Sequence, residues 1–275
     1  MTDIERVLVL GCGYAGTAVA RLARSLGLTV LANVRSEARA SALRAEGFDV
    51  LQRASLDATI AEHADARTHV VVAFPPDGST DDTVAAALGG AAAITYLSST
   101  GVYGDHRGVV NDATPLPTSP NDRAAKICAA EAAYRRHGGI VLRCPALYGT
   151  DRGLHVRVIR GEHRIPGDGT RFLSRIHVDD LAQLVLSCAA AQDLRGETLL
   201  VGDLEPACHV DVVRFICDAY GVPMPPFVPL ESVHESLRAD RLVDASRALA
   251  KLGVTLRYPT YREGMAPAAT RLARS

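Results

Sequence analysis

The sequence predicts an α/β fold in which helices cover both faces of a doubly wound parallel sheet, followed by a small C-terminal portion. Three observations predict this fold class. Strand-like and helix-like segments alternate through the first two thirds of the 275 residues, as they do in chains of β-α-β units. A glycine-rich turn joins the first strand to the first helix. The run His69–Phe74 is almost continuously apolar, which is typical of a strand buried on both faces.

The first strand, turn and helix form the most informative stretch of the chain. The apolar run Val7–Leu10 leads into the G-x-G-x-x-G pattern Gly11-Cys12-Gly13-Tyr14-Ala15-Gly16. In this context Gly11 permits the turn, Gly13 lets the backbone approach a pyrophosphate, and Gly16 lets the helix pack close to the strand. The N–H groups at the helix start favour phosphate. The stretch therefore predicts a dinucleotide site, and a purely structural glycine turn is the alternative.

The segments that follow continue the alternation. The predicted strands are Thr29–Val34, Val50–Leu51, His69–Phe74, Ile94–Ser98 and Ile140–Arg143. The predicted helices are Ser36–Glu46, Thr80–Leu88 and Asn121–His137. This alternation predicts right-handed β-α-β crossovers and a parallel sheet with helices on both faces. Sheets of this kind bind ligands beyond the carboxyl ends of their strands, so we expect the site there.

The pattern loosens after Pro145. The predicted segments are a loop at Gly161–Gly169, a helix at Val178–Ala191, a proline-rich connector at Val222–Pro229, and helices at Asp244–Leu252 and Tyr261–Ala266. We therefore predict a dinucleotide-binding Rossmann domain in residues 1–150. Residues 151–275 should form a small portion that covers the substrate, with some segments returning to the Rossmann core.

The composition bounds the function classes. A formal net charge of −1 gives no electrostatic reason to expect nucleic acid. No apolar run approaches the roughly 20 residues of a membrane span, and no signal peptide is recognisable. Six cysteines without a C-x-x-C pair fit a reducing cytosol, so we expect a cytoplasmic protein. Cys208, His209 and Asp211 are interpreted as a helix start, and no metal site is expected.

The end of the second predicted strand bears on the choice of cofactor. An NAD-binding protein usually has Asp or Glu about 20 residues beyond the glycines. Here Arg35 lies 19 residues after Gly16 and Ser36 follows it. A guanidinium can bind a 2′-phosphate bidentately, and the Ser36 hydroxyl can add a bond. We therefore predict NADP, with NAD as the second choice, although a solvated arginine beside a helix-capping serine would give the same pattern.

Two further segments are expected near the cofactor. Phe74 and Pro75 end the fourth predicted strand and should pass the ribose or the nicotinamide, although Pro-Pro alone marks only a turn. Asp57 follows the third predicted strand and would lie near the adenine. A helix cap is an equally good interpretation of Asp57.

Four longer segments carry a family resemblance. They are YLSSTGVYG at Tyr96–Gly104, RCPALYG at Arg143–Gly149, RIHVDDLA at Arg175–Ala182 and LRYPTYREG at Leu256–Gly264. Together they resemble the extended and atypical short-chain dehydrogenase/reductases of the NAD-dependent epimerase/dehydratase superfamily. The similarity is greatest to short atypical members that pair a GCGYxG turn with SSTGVYG.

The resemblance implies roles for several residues. Ser99 would donate a hydrogen bond to the reacting oxygen, with Thr100 beside it, although turn-forming hydroxyls also bond nearby backbone. Pro145 would line the nicotinamide and Arg175 would touch the cofactor. Asp179 and Asp180 resemble the acidic start of the family's HVDDLA helix, where carboxylates favour the positive dipole end, and we interpret them as structural.

The chain departs from the family at one position. Family enzymes use Tyr-x-x-x-Lys on the helix after SSTGVYG, where the tyrosine acts as acid or base. Here Lys126 is present, but Asp122 stands four residues before it. Arg123 can replace the lysine in another register. The other candidate acids are Tyr103, Tyr148, His106 and His177, and packing within the loop is the alternative role of Tyr103.

These patterns predict an NAD(P)-dependent oxidoreductase or epimerase-like enzyme that lacks the usual tyrosine. Only 130 residues follow Pro145, so a small carbonyl, alcohol or imine is expected rather than a sugar nucleotide. The alternative is a non-catalytic regulatory protein that binds NADP(H). The predicted helices Thr80–Leu88 and Asn121–His137 could pair two chains in a homodimer.

Overall fold

The computed structural model describes residues 4–234 and 237–267. The strands within these ranges are β1 (Arg6–Leu10), β2 (Thr29–Val34), β3 (Asp49–Gln52), β4 (Thr68–Val72), β5 (Ala93–Ser99), β6 (Arg107–Val110), β7 (Ile140–Cys144), β8 (Ala146–Tyr148), β9 (Ile165–Pro166), β10 (Phe172–Leu173), β11 (Arg175–His177), β12 (Thr198–Leu200), β13 (Ala207–Cys208), β14 (Phe227–Val228) and β15 (Asp240–Val243). The helices are α1 (Tyr14–Ser25), α2 (Glu37–Ala45), α3 (Thr80–Ala87), α4 (Asp122–Arg136), α5 (Leu154–Ile159), α6 (Val178–Ser187), α7 (His209–Tyr220), α8 (Ser246–Leu252) and α9 (Tyr261–Met265).

The main sheet confirms the predicted fold class. Its seven strands run in the order β12-β7-β5-β4-β1-β2-β3, and every neighbouring pair is parallel. The order reverses at β1, whose neighbours are β2 and β4. A crevice therefore opens beyond the carboxyl ends of β1 and β4, where doubly wound sheets bind their ligands.

Alternate residues of β1 face two different cores. Val7 and Val9 pack with apolar residues of α1, α2 and α6. Leu8 and Leu10 pack on the opposite face with residues of α3 and α4. A strand covered on both faces is mainly apolar, as Val7–Leu10 of β1 and Val70–Val72 of β4 are. The helices on the two faces thus bury the sheet and leave its carboxyl edge accessible.

Several element boundaries differ from those predicted. The fourth strand ends at Val72 rather than Phe74, and the predicted helix Val178–Ala191 ends at Ser187. Residues 188–191 continue instead as a turn with bonds between residues three apart. The helix predicted from Asp244 begins at Ser246, and Ala245 is its N-cap residue. The Asp244 carboxylate lies just before the helix and accepts a hydrogen bond from the Ser246 N–H at 3.0 Å.

The C-terminal residues interleave with the first 150. Strand β12 is the edge of the main sheet beside β7, and α6 packs on α1 through shared core residues. A second sheet has the order β13-β10-β15-β6, so one of its strands comes from the first 150 residues. The two portions of the chain are therefore built into each other.

A buried polar network joins the strands nearest the crevice to α4. The Glu131 carboxylate accepts hydrogen bonds from Arg143 Nε at 2.9 Å and Nη2 at 2.7 Å. It also accepts one from the Ser98 hydroxyl at 2.6 Å. Arg143 Nη1 donates to the Tyr103 hydroxyl at 2.9 Å. The four side chains thus connect β5, the turn after it, β7 and α4 without leaving the buried charges unpaired.

No helix among residues 4–234 and 237–267 is long and apolar enough to cross a membrane.

Replacement of Glu131 by alanine should destabilise the fold strongly. The change leaves the Arg143 guanidinium buried without its carboxylate, which costs about 3–5 kcal/mol of unfolding free energy. Arg136→Ala is the matched control, because it removes an exposed ion pair with Asp82 at 3.6 Å that contributes at most about 1 kcal/mol. Urea denaturation measures both. Equal losses in the two variants would contradict a structural role for the network.

Candidate functional site

The glycine turn brings α1 close to the end of β1. Gly11 has φ of +84°, and a Cβ built on it would lie 2.7 Å from the backbone nitrogen of Phe74. A Cβ on Gly16 would lie 2.9 Å from both the Gly11 oxygen and Val9 Cγ1. Both positions therefore require glycine, Gly11 for its backbone conformation and Gly16 for the close contact of helix and strand.

Gly13 has a different environment. A Cβ there would meet only the Gly11 oxygen, at 4.0 Å, so open space lies in front of it. Helix α1 begins at the next residue, and no side chain of the described residues caps it. Its first N–H groups are thus available to an anion. Open space and uncapped donors together fit a dinucleotide pyrophosphate.

Two cavities extend from this turn. The Arg35 cavity, of about 670 Å³, includes Gly11–Gly13, residues 33–36 and Arg53 in its lining. The Lys126 cavity, of about 590 Å³, includes Ala15, Ser99 and Lys126. Residues 73–76 line both cavities, including the predicted Phe74 and Pro75. The two cavities therefore form one trough across the carboxyl edge of the sheet.

The Arg35 cavity is strongly basic. Arg35, Arg39 and Arg53 line it together with Ser36. Asp77 is the acidic lining residue, and hydrogen bonds from Thr80 and Ser79 hold the pKa of that carboxyl well below its usual range. Its oxygens are thereby committed to the start of α3.

Each arginine of this cavity has a different set of partners. Arg39 donates to the Cys12 carbonyl at 3.3 Å and to the Thr17 hydroxyl. Arg53 donates to the Thr59 hydroxyl. Arg35 is exposed and bonds to no side chain in the described part of the chain. Sequence analysis missed Arg39 and Arg53, although Arg39 follows Arg35 by four residues and so lies one helical turn further along the chain.

Ser36 and Asp57 each had two interpretations from the sequence, as a helix cap or as a residue near the cofactor. Ser36 is the N-cap of α2 and accepts from the Arg39 N–H at 3.4 Å, while its hydroxyl still borders the Arg35 cavity. Asp57 caps a short helix by accepting from the Thr59 N–H at 2.9 Å. Asp57 is therefore a helix cap, and its position near an adenine stays a prediction.

Tyr14 lies apart from both cavities. Its hydroxyl lies beside Gly149, where a Cβ would come within 2.3 Å of it. The Arg152 guanidinium lies 4.7 Å from the centre of its ring. The side chain is thus held between α1 and the loop after β8, so only its backbone N–H remains as a possible phosphate donor.

The Lys126 cavity brings together the predicted serine and the residues of the Tyr-x-x-x-Lys position. Ser99 lies at the end of β5, while Asp122, Arg123 and Lys126 lie on α4. The Ser99 hydroxyl accepts from the Gly101 N–H at 3.1 Å, so its own hydrogen is free to point into the cavity.

Lys126 and Tyr96, which both line the Lys126 cavity, differ in what their side chains pack against. The stem of Lys126 runs beside Gly78, whose Cβ position is 3.5 Å from Lys126 Cε. Its ammonium group can reach toward residues 75 and 76 across the trough. Tyr96 also contributes to the lining, and its ring stacks on Tyr134 with centroids 4.7 Å apart.

The other candidate acids lie elsewhere. Tyr103 is fully buried, burial raises the pKa of Tyr103, and its hydroxyl accepts from Arg143. His177 caps α6 by accepting from the Asp179 N–H at 3.2 Å. His106 is half-buried and contacts the Val109 carbonyl at 3.3 Å. Tyr148 is 2 % exposed and lines a separate cavity. The structure thus brings none of the four into the Lys126 cavity.

Thr100 and Pro145 lie on the other side of Ser99. They line the Arg241 cavity, of about 480 Å³, together with Ser99, Arg152 and Arg241. Ser99 therefore borders two cavities, one continuous with the glycine turn and one reaching the C-terminal portion.

Arg175 is placed differently from the prediction. It is 3 % exposed and lines the Arg175 cavity, of about 490 Å³, with Tyr148, Arg152 and Arg157. Because β11 pairs with β8, its side chain lies among C-terminal elements and does not line the trough. Arg175 therefore does not lie where it could touch a cofactor bound at the glycine turn.

Asp180 has a structural position, as interpreted from the sequence. Asp180 is fully buried and accepts from the Arg257 N–H at 2.7 Å and the Tyr258 N–H at 2.9 Å. It thereby fastens the segment before α9 to α6. No group of three or more His, Cys, Asp or Glu side chains within the described ranges could hold a metal ion.

Comparisons with known proteins agree with this architecture. A model of the NAD-dependent epimerase/dehydratase family matches residues 7–202. No curated protein sequence matches the chain. A conserved protein of unknown function from Silicibacter pomeroyi has 27% identity and a TM-score of 0.83, with 98% of this chain and 99% of that chain covered.

Two more distant structures share the fold. UDP-glucuronic acid 4-epimerase from Bacillus cereus, solved with NAD, has 16% identity and a TM-score of 0.75, covering 98% of this chain and 99% of its own. The human epimerase family protein SDR39U1 (isoform 2), solved with NADPH, has 17% identity and a TM-score of 0.74, covering 94% and 97%.

Alanine substitutions at two glycines should separate binding from folding. Gly13→Ala places a methyl group in the open space where a pyrophosphate would approach, and φ of −83° at this residue is open to any side chain. We expect normal thermal stability and about tenfold weaker NADPH binding. Gly16→Ala forces the helix away from the strand and should lower the melting temperature. Thermal melts and calorimetric titration measure both, and unimpaired binding by Gly13→Ala would contradict the assigned position.

Proposed function

The chain belongs to the NAD-dependent epimerase/dehydratase family, and from that membership we propose that it is an NADP(H)-dependent oxidoreductase or epimerase-like enzyme. Its proposed substrate is a small carbonyl, alcohol or imine. One observation carries the proposal: Ser99 and Lys126 face the same cavity, and that cavity continues past residues 73–76 to the glycine turn.

The trough offers groups for each part of the cofactor. The open space at Gly13 and the uncapped start of α1 suit the pyrophosphate. Arg35 and Ser36, with Arg39 and Arg53 nearby, suit a 2′-phosphate, since guanidinium groups bind phosphate bidentately. Lys126, which lines the other end of the trough, would bond a ribose hydroxyl. Three cations around the Arg35 cavity favour NADP over NAD.

When bound, a nicotinamide cofactor supplies or accepts a hydride. The protein must then hold the substrate carbon and control the charge on its heteroatom. Ser99 can donate a hydrogen bond to that atom because its oxygen is already fixed by the Gly101 N–H. Such a donor stabilises the charge that develops on the heteroatom in the transition state.

Asp122 favours an imine among the possible substrates. Reduction of a carbonyl requires a proton for the oxygen, and Asp122 stands at the position of the family's tyrosine. A protonated imine needs no further proton, because addition of hydride to its carbon gives the amine directly. A carboxylate at position 122 would also attract the positive charge of such a substrate.

A second candidate function is a non-catalytic NADP(H)-binding regulator. The observation that favours it is the same Asp122, together with the placement of Tyr103 and Tyr148 outside the Lys126 cavity. Oxidation of NADPH in the presence of a panel of carbonyls and imines distinguishes the two functions. Tight NADPH binding without turnover of any compound in the panel would favour the regulator.

Replacement of Ser99 by alanine should remove turnover while keeping the cofactor. Loss of one transition-state donor reduces kcat by about 10²–10³-fold, whereas NADPH binding depends on the glycine turn and should not change. Ser41→Ala is the matched control, since Ser41 is exposed on α2 and its hydroxyl donates to the Glu37 carboxylate at 2.8 Å. Unreduced kcat in Ser99→Ala, measured by NADPH absorbance, would refute the role of Ser99.

Replacement of Arg35 by alanine should weaken NADPH binding selectively. A hydrogen bond to a charged phosphate contributes about 1.5–3 kcal/mol, so the NADPH Kd should rise about tenfold or more. NADH lacks the phosphate, so its Kd should stay constant. Arg44→Ala, which removes an exposed arginine of α2 paired with Glu37, serves as the control. Parallel titrations with NADPH and NADH measure both dissociation constants. An equal loss of affinity for the two cofactors would refute the assignment of Arg35 to the 2′-phosphate.

A further inference from the structure

The Arg175 cavity lies next to the Ser99 end of the trough. It shares Ala146, Arg152, Leu173 and Leu237 with the Arg241 cavity, and the Arg241 cavity includes Ser99. A molecule whose reacting group lies at Ser99 can therefore extend past these shared residues into the Arg175 cavity.

The charge of the Arg175 cavity is strongly positive. Among residues 4–234 and 237–267, the charged groups that line it are four arginines and one carboxylate, that of Asp151; the arginines are Arg152, Arg157, Arg160 and Arg175. Arg157 lies in the last turn of α5, and Arg160 directly follows that helix. Both residues are exposed. Neither forms an ion pair within the part of the chain that the structure describes. Such a concentration of unpaired cations in a concave site attracts anions.

Two histidines also line the Arg175 cavity but add no positive charge at neutral pH. His163 and His209 are buried, with their Nε2 atoms 2.8 Å apart. One ring must donate and the other accept, so at least one is neutral. Burial and the neighbouring arginines lower the pKa of His163 to about 4. Burial and the nearby His163 lower the pKa of His209 to about 3. At neutral pH the cavity's positive charge therefore comes from arginine alone.

Arg175 is the most unusual of these groups. It is 3 % exposed, and its Nη1 has no hydrogen-bond partner among residues 4–234 and 237–267. Its guanidinium lies 5.3 Å from the centre of the Tyr261 ring. Asp203 acts on it electrostatically but forms no ion pair with it. A buried cationic donor without a partner is costly, and an anionic ligand in the cavity would supply the missing acceptor.

We propose that the Arg175 cavity binds an oxyanion, a carboxylate or a phosphate group, and that this group is the tail of the substrate whose reacting carbon lies at Ser99. Arg175 would form the buried bond, and Arg157 would contribute from the rim. The oxyanion site stands on the cavity itself, whereas its assignment to the substrate rests on the proposed function.

Calorimetric titration of the full chain with succinate and with inorganic phosphate tests the site. NADPH is kept saturating, so that the glycine turn and Arg35 are not available to the added anion. We expect one or both anions to bind. Arg175→Met and Arg157→Ala should each weaken that binding about tenfold or more. Arg175→Lys should restore part of it, because the charge is kept.

The control is Arg214→Ala, which removes an exposed arginine of α7 paired with Asp211 at 2.8 Å and outside the cavity lining. Arg157 is exposed, so Arg157→Ala remains informative if Arg175→Met does not fold. Stronger binding of succinate than of phosphate assigns a carboxylate tail, and the reverse assigns a phosphate. Anion binding that is absent, or that survives both Arg157→Ala and Arg175→Met, overturns the proposal.

The NADPH titration separates this result from the proposed function. If the chain fails to bind NADPH, yet binds the anion in a manner that depends on Arg157, the proposed function is refuted and the oxyanion site stands. If NADPH binds normally and the anion does not, the oxyanion site is refuted and the cofactor assignment stands.

Discussion

The bidentate pair between Glu131 and Arg143 is the interaction on which the arrangement of the site depends. Its carboxylate lies on α4 and its guanidinium on β7, and the Ser98 hydroxyl joins β5 to the same carboxylate. Ser99 is the next residue of β5, and Lys126 lies on α4 little more than one turn before Glu131. A shift of α4 relative to the sheet would therefore break three hydrogen bonds to a buried charge. The distance across the Lys126 cavity is held by this pairing, and a site built on such elements is more precise than one built on free loops.

At the carboxyl edge of the sheet, each neighbouring strand contributes a different kind of group. The turn after β1 offers backbone donors, the segment after β2 offers guanidinium groups, and the ends of β5 and β7 border the space beside α4. Because parallel strands end at a common edge, residues far apart in the chain meet there without long insertions. The C-terminal portion adds the arginine-rich cavity next to this edge. The regions proposed for cofactor and substrate are thus contiguous, and Ser99 lies where they meet.

The sequence predicted the parts that depend on short-range pattern. The glycine turn, the main strands and the spacing of Ser99, Asp122 and Lys126 follow from periodicity and motif, because neighbouring residues determine them. Arg39 and Arg53 were missed, since they reach the cavity only through the packing of α2 and the loop after β3. Tyr103 and Arg175 were placed near the chemistry because sequence does not show which way a side chain points. The pairing of β11 with β8 decides this for Arg175, and strands of two to four residues such as β6, β10 and β13 are too short for any periodicity to reveal.

The interleaving of the two portions affects how the chain can fold during synthesis. Strand β7 stays at the edge of the sheet until β12 has been made, and the face of α1 stays uncovered until α6 arrives. Both contacts join residues well over 50 positions apart, and such non-local pairings form slowly. A partly synthesised chain that ends near residue 150 therefore presents an unpaired strand edge and an apolar helix face. Both features promote association with other chains. For this protein the vulnerable stage is a late one in translation, after most of the nucleotide-binding half has already left the ribosome.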